Sequence, residues 1–170
     1  MLPDLPPSPP DQRPELSLSL ELKRNNIVSG PRSLPTLQCF VREADRQRID
    51  PYVLLAVLKT EGGRAGEFAL NRNGTVDLGP MSINSVWLPT LAKHYRTTEP
   101  ELRHRLATDG CANVAAAALI LGRKIAASSN NVWEGVANYH SSNLAKQGPY
   151  LMRVHASFSR IVANVSARMR

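Results

Sequence analysis

With 170 residues, of which 42% are hydrophobic, the chain is long enough to bury one core without a metal or a dense set of disulfides. Its two cysteines and four scattered histidines argue against a structural metal site, and no stretch reaches the ~18 apolar residues of a membrane span. The net charge of +7 indicates a polyanionic partner but leaves nucleic acid, anionic lipid and a peptide-bearing cell-wall polymer open.

The first 30 residues differ in composition from the rest of the chain. Six of the 13 prolines lie within the first 14 residues, and apolar periodicity is missing apart from the short LSLSLEL run. We predict a disordered, proline-rich tail over residues 1–30 and one folded domain over residues 31–170. The tail carries three basic and four acidic residues, so the predicted domain has a charge of +8. The tail lacks the basic and apolar regions of a secretory signal.

The first predicted helix covers about residues 33–48. Apolar residues recur there at helical spacing and predict one core-facing side. That side consists of Leu34, Leu37, Val41 and Ala44.

A second helix is predicted to begin after the N-cap Asp50 and to carry Glu61 near its end. Leu54, Leu58 and Glu61 are spaced four and then three residues apart, so they lie on one side of this helix. The carboxylate is therefore expected to face inward or to line a cleft. The alternative is a solvated glutamate at a helix end, where the following glycine pair stops the helix.

Residues 64–79 predict a short β excursion or an ordered loop, because the Asn73-Gly74 pair favours a tight turn. Asp77 follows that turn and comes 16 residues after Glu61. Two carboxylates in different environments across a groove suit cleavage of a glycosidic bond. The alternative is that Asp77 is a turn or cap residue ahead of Gly79.

The remainder of the chain predicts helices. One is expected from Met81 to Leu91, with Pro89 as a break or a new first turn, and a short one opens at Thr98 or Glu99. Residues 111–127 are apolar on nearly all sides and predict the buried central helix. The last two predicted helices are one capped by Asn131 and an amphipathic one with the stripe Leu151, Val154, Phe158, Ile161 and Val165. The predicted class is mainly α, with a small β excursion at the groove.

Four stretches in fixed order, KTEGG, NRNGTVDLGPMSINSVW, CANV and VANYHSS, resemble the lysozyme-like lytic transglycosylases of the SLT family. The likeness covers about residues 33–145 and is greatest to the small members that accompany secretion, pilus and conjugation machineries. It implies an α+β lysozyme-like fold. It also implies that Glu61 is the catalytic acid and base. Asp77 is similarly placed to the second carboxylate of animal lysozymes.

The resemblance also implies a glycan groove. The family pattern G-x-M-Q-I-N corresponds to residues 79–84, with Ser82 where the family usually has glutamine, which leaves one substrate hydrogen bond open. The family's tyrosine corresponds to Tyr139, which is expected to hold Glu61, so Tyr139→Phe should lower turnover at least tenfold and leave the melting temperature nearly unchanged. The predicted glycan-binding residues are Gly79, Met81, Ser82, Asn84, Tyr139, His140 and Ser141.

The implied reaction is cleavage of the β-1,4 bond between N-acetylmuramic acid and N-acetylglucosamine in peptidoglycan, with formation of a 1,6-anhydro end and without cofactor or metal. One alternative is a lysozyme-type hydrolase that uses Glu61 and Asp77 with water. The other is a non-enzymatic, basic helical adaptor or nucleic-acid binder.

The resemblance further implies where and how the protein works. Exported relatives have cysteines at similar places, so a Cys39–Cys111 disulfide is expected, with two buried thiols as the alternative.

The expected location is the periplasm or cell envelope. Because no signal is visible, export by the machinery itself and a processed or misassigned N-terminus both remain open. Expected partners are glycan strands and a secretion or conjugation apparatus, with no nucleic acid and no transmembrane segment, and the chain is expected to be a monomer.

Overall fold

The computed structural model of the chain describes residues 25–27 and 30–168. Most of the predicted tail lies outside these residues. Three residues that the sequence analysis assigned to the tail, Asn25–Ile27, form strand β1 and pair with the next strand along the chain. Strand pairing uses backbone hydrogen bonds, so the pattern of apolar side chains did not predict this strand.

The described residues form seven α-helices and one four-stranded antiparallel sheet, in agreement with the predicted mainly α fold. The helices are α1 (Leu37–Gln47), α2 (Pro51–Glu61), α3 (Leu88–Tyr95), α4 (Glu99–Thr108), α5 (Gly110–Ala127), α6 (Val132–His140) and α7 (Leu144–Arg168). The strands are β1 (Asn25–Ile27), β2 (Glu67–Leu70), β3 (Val76–Leu78) and β4 (Ile83–Asn84), in the spatial order β1-β2-β3-β4.

Helix α5 is the centre of the helical layer, and α1, α4 and α6 pack around it. Its alanine and leucine side chains are buried on most sides, as predicted. By length and composition α5 is apolar enough to cross a membrane, which the sequence analysis did not find, but half of it is buried within the domain. Its apolar character therefore belongs to the core.

The predicted core face of α1 is wrong. Of the four residues expected to be buried there, only Ala44 is buried, and the helix instead buries Cys39, Phe40 and Glu43. A disulfide joins Cys39 to Cys111 at the start of α5 and turns this other side toward the core. The exposed residues are Leu34 (77%), Leu37 (75%) and Val41 (50%).

Helix α2 begins and ends as its sequence predicts. The Asp50 side chain accepts a hydrogen bond from the Tyr52 backbone at 2.7 Å, and Pro51 has the preset φ of a first helical residue. Gly62 follows the helix with φ of 66°, a conformation that favours glycine. Glu61 is thus the last residue of α2, and the two caps fix its position at the end of the helix.

The hairpin β2-β3 confirms the turn predicted from the Asn-Gly pair. Gly74 has φ of 81°, and the Asn71 backbone N–H donates to the Thr75 carbonyl at 2.8 Å, which closes the turn. Leu70 pairs with Val76 across the hairpin. The turn therefore places Asp77 on β3, next to the last strand.

The helix predicted from Met81 to Leu91 is shorter than expected. Ile83 and Asn84 pair with β3 as strand β4, a 3-10 turn covers Ser85–Trp87, and the helix begins only at Leu88, with Pro89 in its first turn. Strand pairing with β3 thus replaces the first turns of the predicted helix. The predicted N-cap Asn131 is confirmed, since its side chain accepts a backbone hydrogen bond. Of the two predicted starts of the short helix, Thr98 is the N-cap, because its hydroxyl accepts from the Glu101 backbone.

The disulfide predicts a defined response to reduction. Cys39 and Cys111 lie 72 residues apart in the chain, so breaking the bond should lower the free energy of unfolding by up to ~4 kcal/mol through loop entropy. Denaturant titration with and without reductant measures this loss. The Cys39→Ser/Cys111→Ser variant is the control and should be insensitive to reductant. Two titratable thiols in the unreduced, denatured protein would contradict the pairing.

Candidate active site

Glu61 lines a cleft of about 590 Å³ between the helical layer and the hairpin. Burial raises the pKa of its carboxyl from 4.5 to about 7, and the negative charge of Asp77 adds to the rise. A hydrogen bond from Tyr150 and the positive charge of Arg153 act in the opposite direction. Removal from water disfavours the charged form most. Near neutral pH this carboxyl can therefore both give and take a proton.

Tyr150 holds the Glu61 carboxyl. Its hydroxyl donates to Glu61 Oε1 at 2.6 Å, and its side chain is buried. Burial and the neighbouring Glu61 raise the pKa of Tyr150, so the hydroxyl stays protonated and remains a donor. Because this bond spans 89 residues, it fixes the end of α2 against α7.

The sequence analysis missed Tyr150, although a signal for it exists. Tyr150, Val154, Ser157 and Ile161 are the buried residues of α7, so the tyrosine belongs to the buried stripe of an amphipathic helix. A buried tyrosine hydroxyl requires a hydrogen-bond partner. The identity of that partner could not be read from helical spacing.

Tyr139 does not make the hydrogen bond that was predicted for it. Its hydroxyl donates to the Met81 carbonyl at 2.9 Å, whereas Tyr150 supplies the contact to Glu61. The Tyr139 ring lines the cleft, and burial followed by the charge of Glu61 raises its pKa. Tyr139 therefore contributes a wall beside the acid and fixes the segment that carries Met81.

Asp77 lies in the same cleft as Glu61, as predicted from their order in the chain. Asp77 and Asn84 face each other across β3 and β4, and the Asn84 side-chain amide donates to Asp77 Oδ1 at 2.8 Å. The same amide donates to Thr75 Oγ1 at 3.0 Å. The two carboxyl groups thus occupy different environments, one at the buried end of α2 and the other held by an amide on the sheet.

The segment 79–84 contributes both to the cleft and to its support. Gly79 has φ of 64°, and a Cβ there would clash with the Leu106 carbonyl oxygen. Met81 is fully buried and is not part of the cleft lining, so its predicted contact with the glycan stays a prediction. Ser82 and Asn84 line the cleft, whereas Gly79 and Met81 lie behind it.

The remaining predicted residues follow α6. His140 lines the cleft and stacks on the Tyr150 ring, with centroids 4.1 Å apart. Burial, with help from Arg153 and Lys146, lowers its pKa, so the ring is neutral at neutral pH. Ser141 does not line the cleft; its hydroxyl accepts from the Asn143 backbone at 3.1 Å.

Asn113 is a second residue whose role the sequence analysis did not identify. It is fully buried on α5. Its amide donates to the carbonyls of Leu78 and Leu106 at 2.8 Å each and accepts from the Met81 backbone at 2.8 Å. A lone asparagine in an alanine-rich apolar helix is the available signal, since a buried amide needs partners.

The rest of the cleft is suited to a polar ligand with apolar faces. Neutral amides and a hydroxyl come from the hairpin, and apolar surface comes from the 3-10 turn and α5. Within residues 25–27 and 30–168, His, Cys, Asp and Glu side chains form no group of three or more that could hold a metal ion. Besides the residues described above, the cleft is lined by Asn71, Asn73, Thr75, Ile83, Trp87 and Ile120, with Arg72 and Lys146 at its rim.

Comparison with known families gives one match. The family model described as the transglycosylase SLT domain matches residues 38–148, which is more than half of the chain and includes every residue that lines the cleft. A search of curated proteins gives no match.

The raised pKa of Glu61 predicts a pH-dependent stability. Between pH 4.5 and about 7 the unfolded chain releases this proton while the folded chain retains it. The free energy of unfolding should therefore fall across this range, by at most ~3 kcal/mol, and level off above it. Glu61→Gln should remove this component, whereas Glu99→Gln, at an exposed site, should retain it. Denaturant titrations at several pH values measure the difference, and parallel wild-type and Glu61→Gln curves would contradict the burial.

The two tyrosines predict different defects. Tyr150→Phe removes the hydrogen bond that lowers the pKa of Glu61, so that pKa should rise above about 7. Tyr139→Phe leaves the Met81 carbonyl without its donor and should cost ~1–3 kcal/mol of stability. The melting temperature of Tyr139→Phe, which the sequence analysis expected to be nearly unchanged, should therefore fall. Thermal unfolding and the pH dependence of stability separate the two variants; an upward shift of the Glu61 pKa in Tyr139→Phe alone would reverse the assignment.

Proposed function

Since the chain belongs to the transglycosylase SLT family, we propose that it cleaves the β-1,4 bond of peptidoglycan and leaves 1,6-anhydro-N-acetylmuramic acid ends. The observation that carries this proposal is Glu61, whose pKa of about 7 allows one group to act as acid and then as base. Family membership supports lytic transglycosylase activity on peptidoglycan. The anhydro product is the further step proposed here.

In the first step, Glu61 acts as a carboxylic acid. It gives its proton to the oxygen that joins C1 of the muramic acid to C4 of the glucosamine, and the C1–O bond breaks. The glucosamine leaves as an alcohol, and positive charge develops at C1. Asp77, held by Asn84 on the sheet, supplies negative charge in the same cleft and stabilises this transition state.

In the second step, Glu61 acts as a carboxylate. It takes the proton of the muramyl 6-hydroxyl, and that oxygen attacks C1 to close the anhydro ring. The acid is thereby restored and no water is consumed. The Tyr150 hydroxyl bonds to Glu61 Oε1 and leaves Oε2 as the oxygen available for proton transfer.

A hydrolase is the second candidate, because Asp77 lies in the same cleft. In that reaction, Asp77 acts as nucleophile or as base for water, and the product has a reducing end. Both reactions need Glu61. Only the hydrolase requires Asp77 as nucleophile or base, and its product is heavier by one water.

We further propose that the protein works in the periplasm or cell envelope, as a monomer, and opens the wall for a secretion, pilus or conjugation machinery. Its substrate is found in the envelope, and the Cys39–Cys111 disulfide suits an oxidising compartment. The likeness of its motifs to the small machinery-associated members supports the partnership.

The product decides between the two reactions. Digestion of purified peptidoglycan should give muropeptides one water lighter than lysozyme products, as seen by mass spectrometry. Glu61→Gln should be inactive, because glutamine cannot exchange the proton, and Asp77→Asn should be impaired but active. Glu99→Gln is the matched control and should retain full activity. Products with only reducing ends would establish the hydrolase instead.

A further inference from the structure

The rim of the cleft carries two cations that the proposed chemistry does not use. Arg72 lies in the β2-β3 turn and Lys146 in the first turn of α7, and both line the same cleft as Glu61. Both are exposed. Within the described part of the chain, neither side chain has a hydrogen bond or ion pair. No described residue neutralises either charge, so both cations are open to a ligand.

Local structure holds both cations at the rim. Around Arg72, the Asn71 amide donates to Thr75 Oγ1 at 3.1 Å, and the Thr75 hydroxyl donates to Asn73 Oδ1 at 2.7 Å. Around Lys146, the Asn143 side chain accepts from the Ala145 backbone at 3.0 Å. These contacts fix the backbone from which each long side chain extends.

The charge of the cleft does not match a neutral glycan. With Glu61 protonated and His140 neutral, the lining carries Arg72 and Lys146 against the single carboxylate of Asp77. The lining is thus positive by one charge. Sugar hydroxyls and acetamido groups are neutral, and binding them requires hydrogen-bonding groups but no net charge. The excess positive charge indicates an anionic group on the substrate.

We propose that Arg72 and Lys146 bind carboxylates of the stem peptides on the muramic acid, so that the enzyme selects peptide-bearing over denuded glycan. This inference rests on the proposed function. On a peptide-bearing strand, the lactyl group of the muramic acid is an amide, so the remaining carboxylates belong to the peptide. An arginine on the hairpin and a lysine on α7 can each engage one as the strand lies in the cleft.

Three substrates test this selection: peptide-bearing glycan strands, the same strands after an amidase has removed the peptides, and strands whose peptide carboxylates have been converted to amides. Exposed ion pairs contribute modestly, so the wild type should favour the first substrate by about tenfold in kcat/KM. The preference should lie mainly in KM and weaken as salt is added. Amidated strands should lose the preference as well. Because an amidase leaves a lactyl carboxylate on each muramic acid, the amidated strands are the reference substrate without carboxylate charge.

Arg72→Gln/Lys146→Gln should lower the preference to near one by raising KM for the peptide-bearing strands. Lys93→Gln/Arg168→Gln, which removes the same charge away from the cleft, is the matched control and should keep the preference. No wild-type preference, or equal losses of the rim variant on all three substrates, would overturn the inference. If the wild type cleaves none of the three, the proposed function is wrong and the inference falls with it. Cleavage of all three at one rate leaves the function intact and refutes the selection alone.

Discussion

The site depends on one constraint, which is that the Glu61 carboxyl sits largely out of water while a single tyrosine hydroxyl holds it. Burial raises the carboxyl pKa, and the hydrogen bond from Tyr150 limits the rise. A stronger set of donors would stabilise the carboxylate and remove the acid. With no donor at all, the carboxyl would lack a defined orientation. One buried bond between the end of α2 and α7 therefore sets both the proton affinity and the geometry.

The opposite wall of the cleft depends on a different buried group. Asn113 on α5 satisfies carbonyls on β3 and α4 and the backbone amide of Met81. Tyr139 then binds the Met81 carbonyl from α6. Both backbone groups of Met81, its N–H and its carbonyl, are thus hydrogen-bonded, and this holds the segment that follows β3. Because buried polar groups are costly when unsatisfied, this arrangement fixes the strand that carries Asn84, and through Asn84 it fixes Asp77.

The cleft therefore has a rigid base and an exposed rim, with separate tasks. At the base, Tyr150 on α7 positions Glu61, and Asn84 on the neighbouring strand positions Asp77. At the rim, Arg72 and Lys146 extend from a turn and a helix start and carry charge that the base does not need. Such a division lets the chemistry stay constant while recognition of the substrate is tuned by surface residues.

Local sequence determined much of this protein. The N-caps, the Asn-Gly turn, the end of α2 at Gly62 and the buried character of α5 all follow from rules that act within a few residues. The order of motifs identified Glu61 and Asp77 as partners in one cleft. Periodicity failed for α1, because its sequence has two possible apolar sides and the disulfide to α5 selects the one with Cys39 and Phe40. Periodicity also failed to predict the residues after Met81, because they pair with β3 as a strand although their apolar spacing is helical.

Only the tertiary structure decided which tyrosine holds the acid. Tyr139 and Tyr150 both belong to buried helix faces near the cleft, and motif order favoured Tyr139. The choice depends on how α6 and α7 cross the end of α2, which places the Tyr150 hydroxyl at Glu61 and the Tyr139 hydroxyl at Met81. A hydrogen bond forms over ~3 Å, and contacts of that range between distant residues are set by the packing of whole helices. Local sequence rules act within a few residues, so they determine the elements and the chemical groups but not which groups meet.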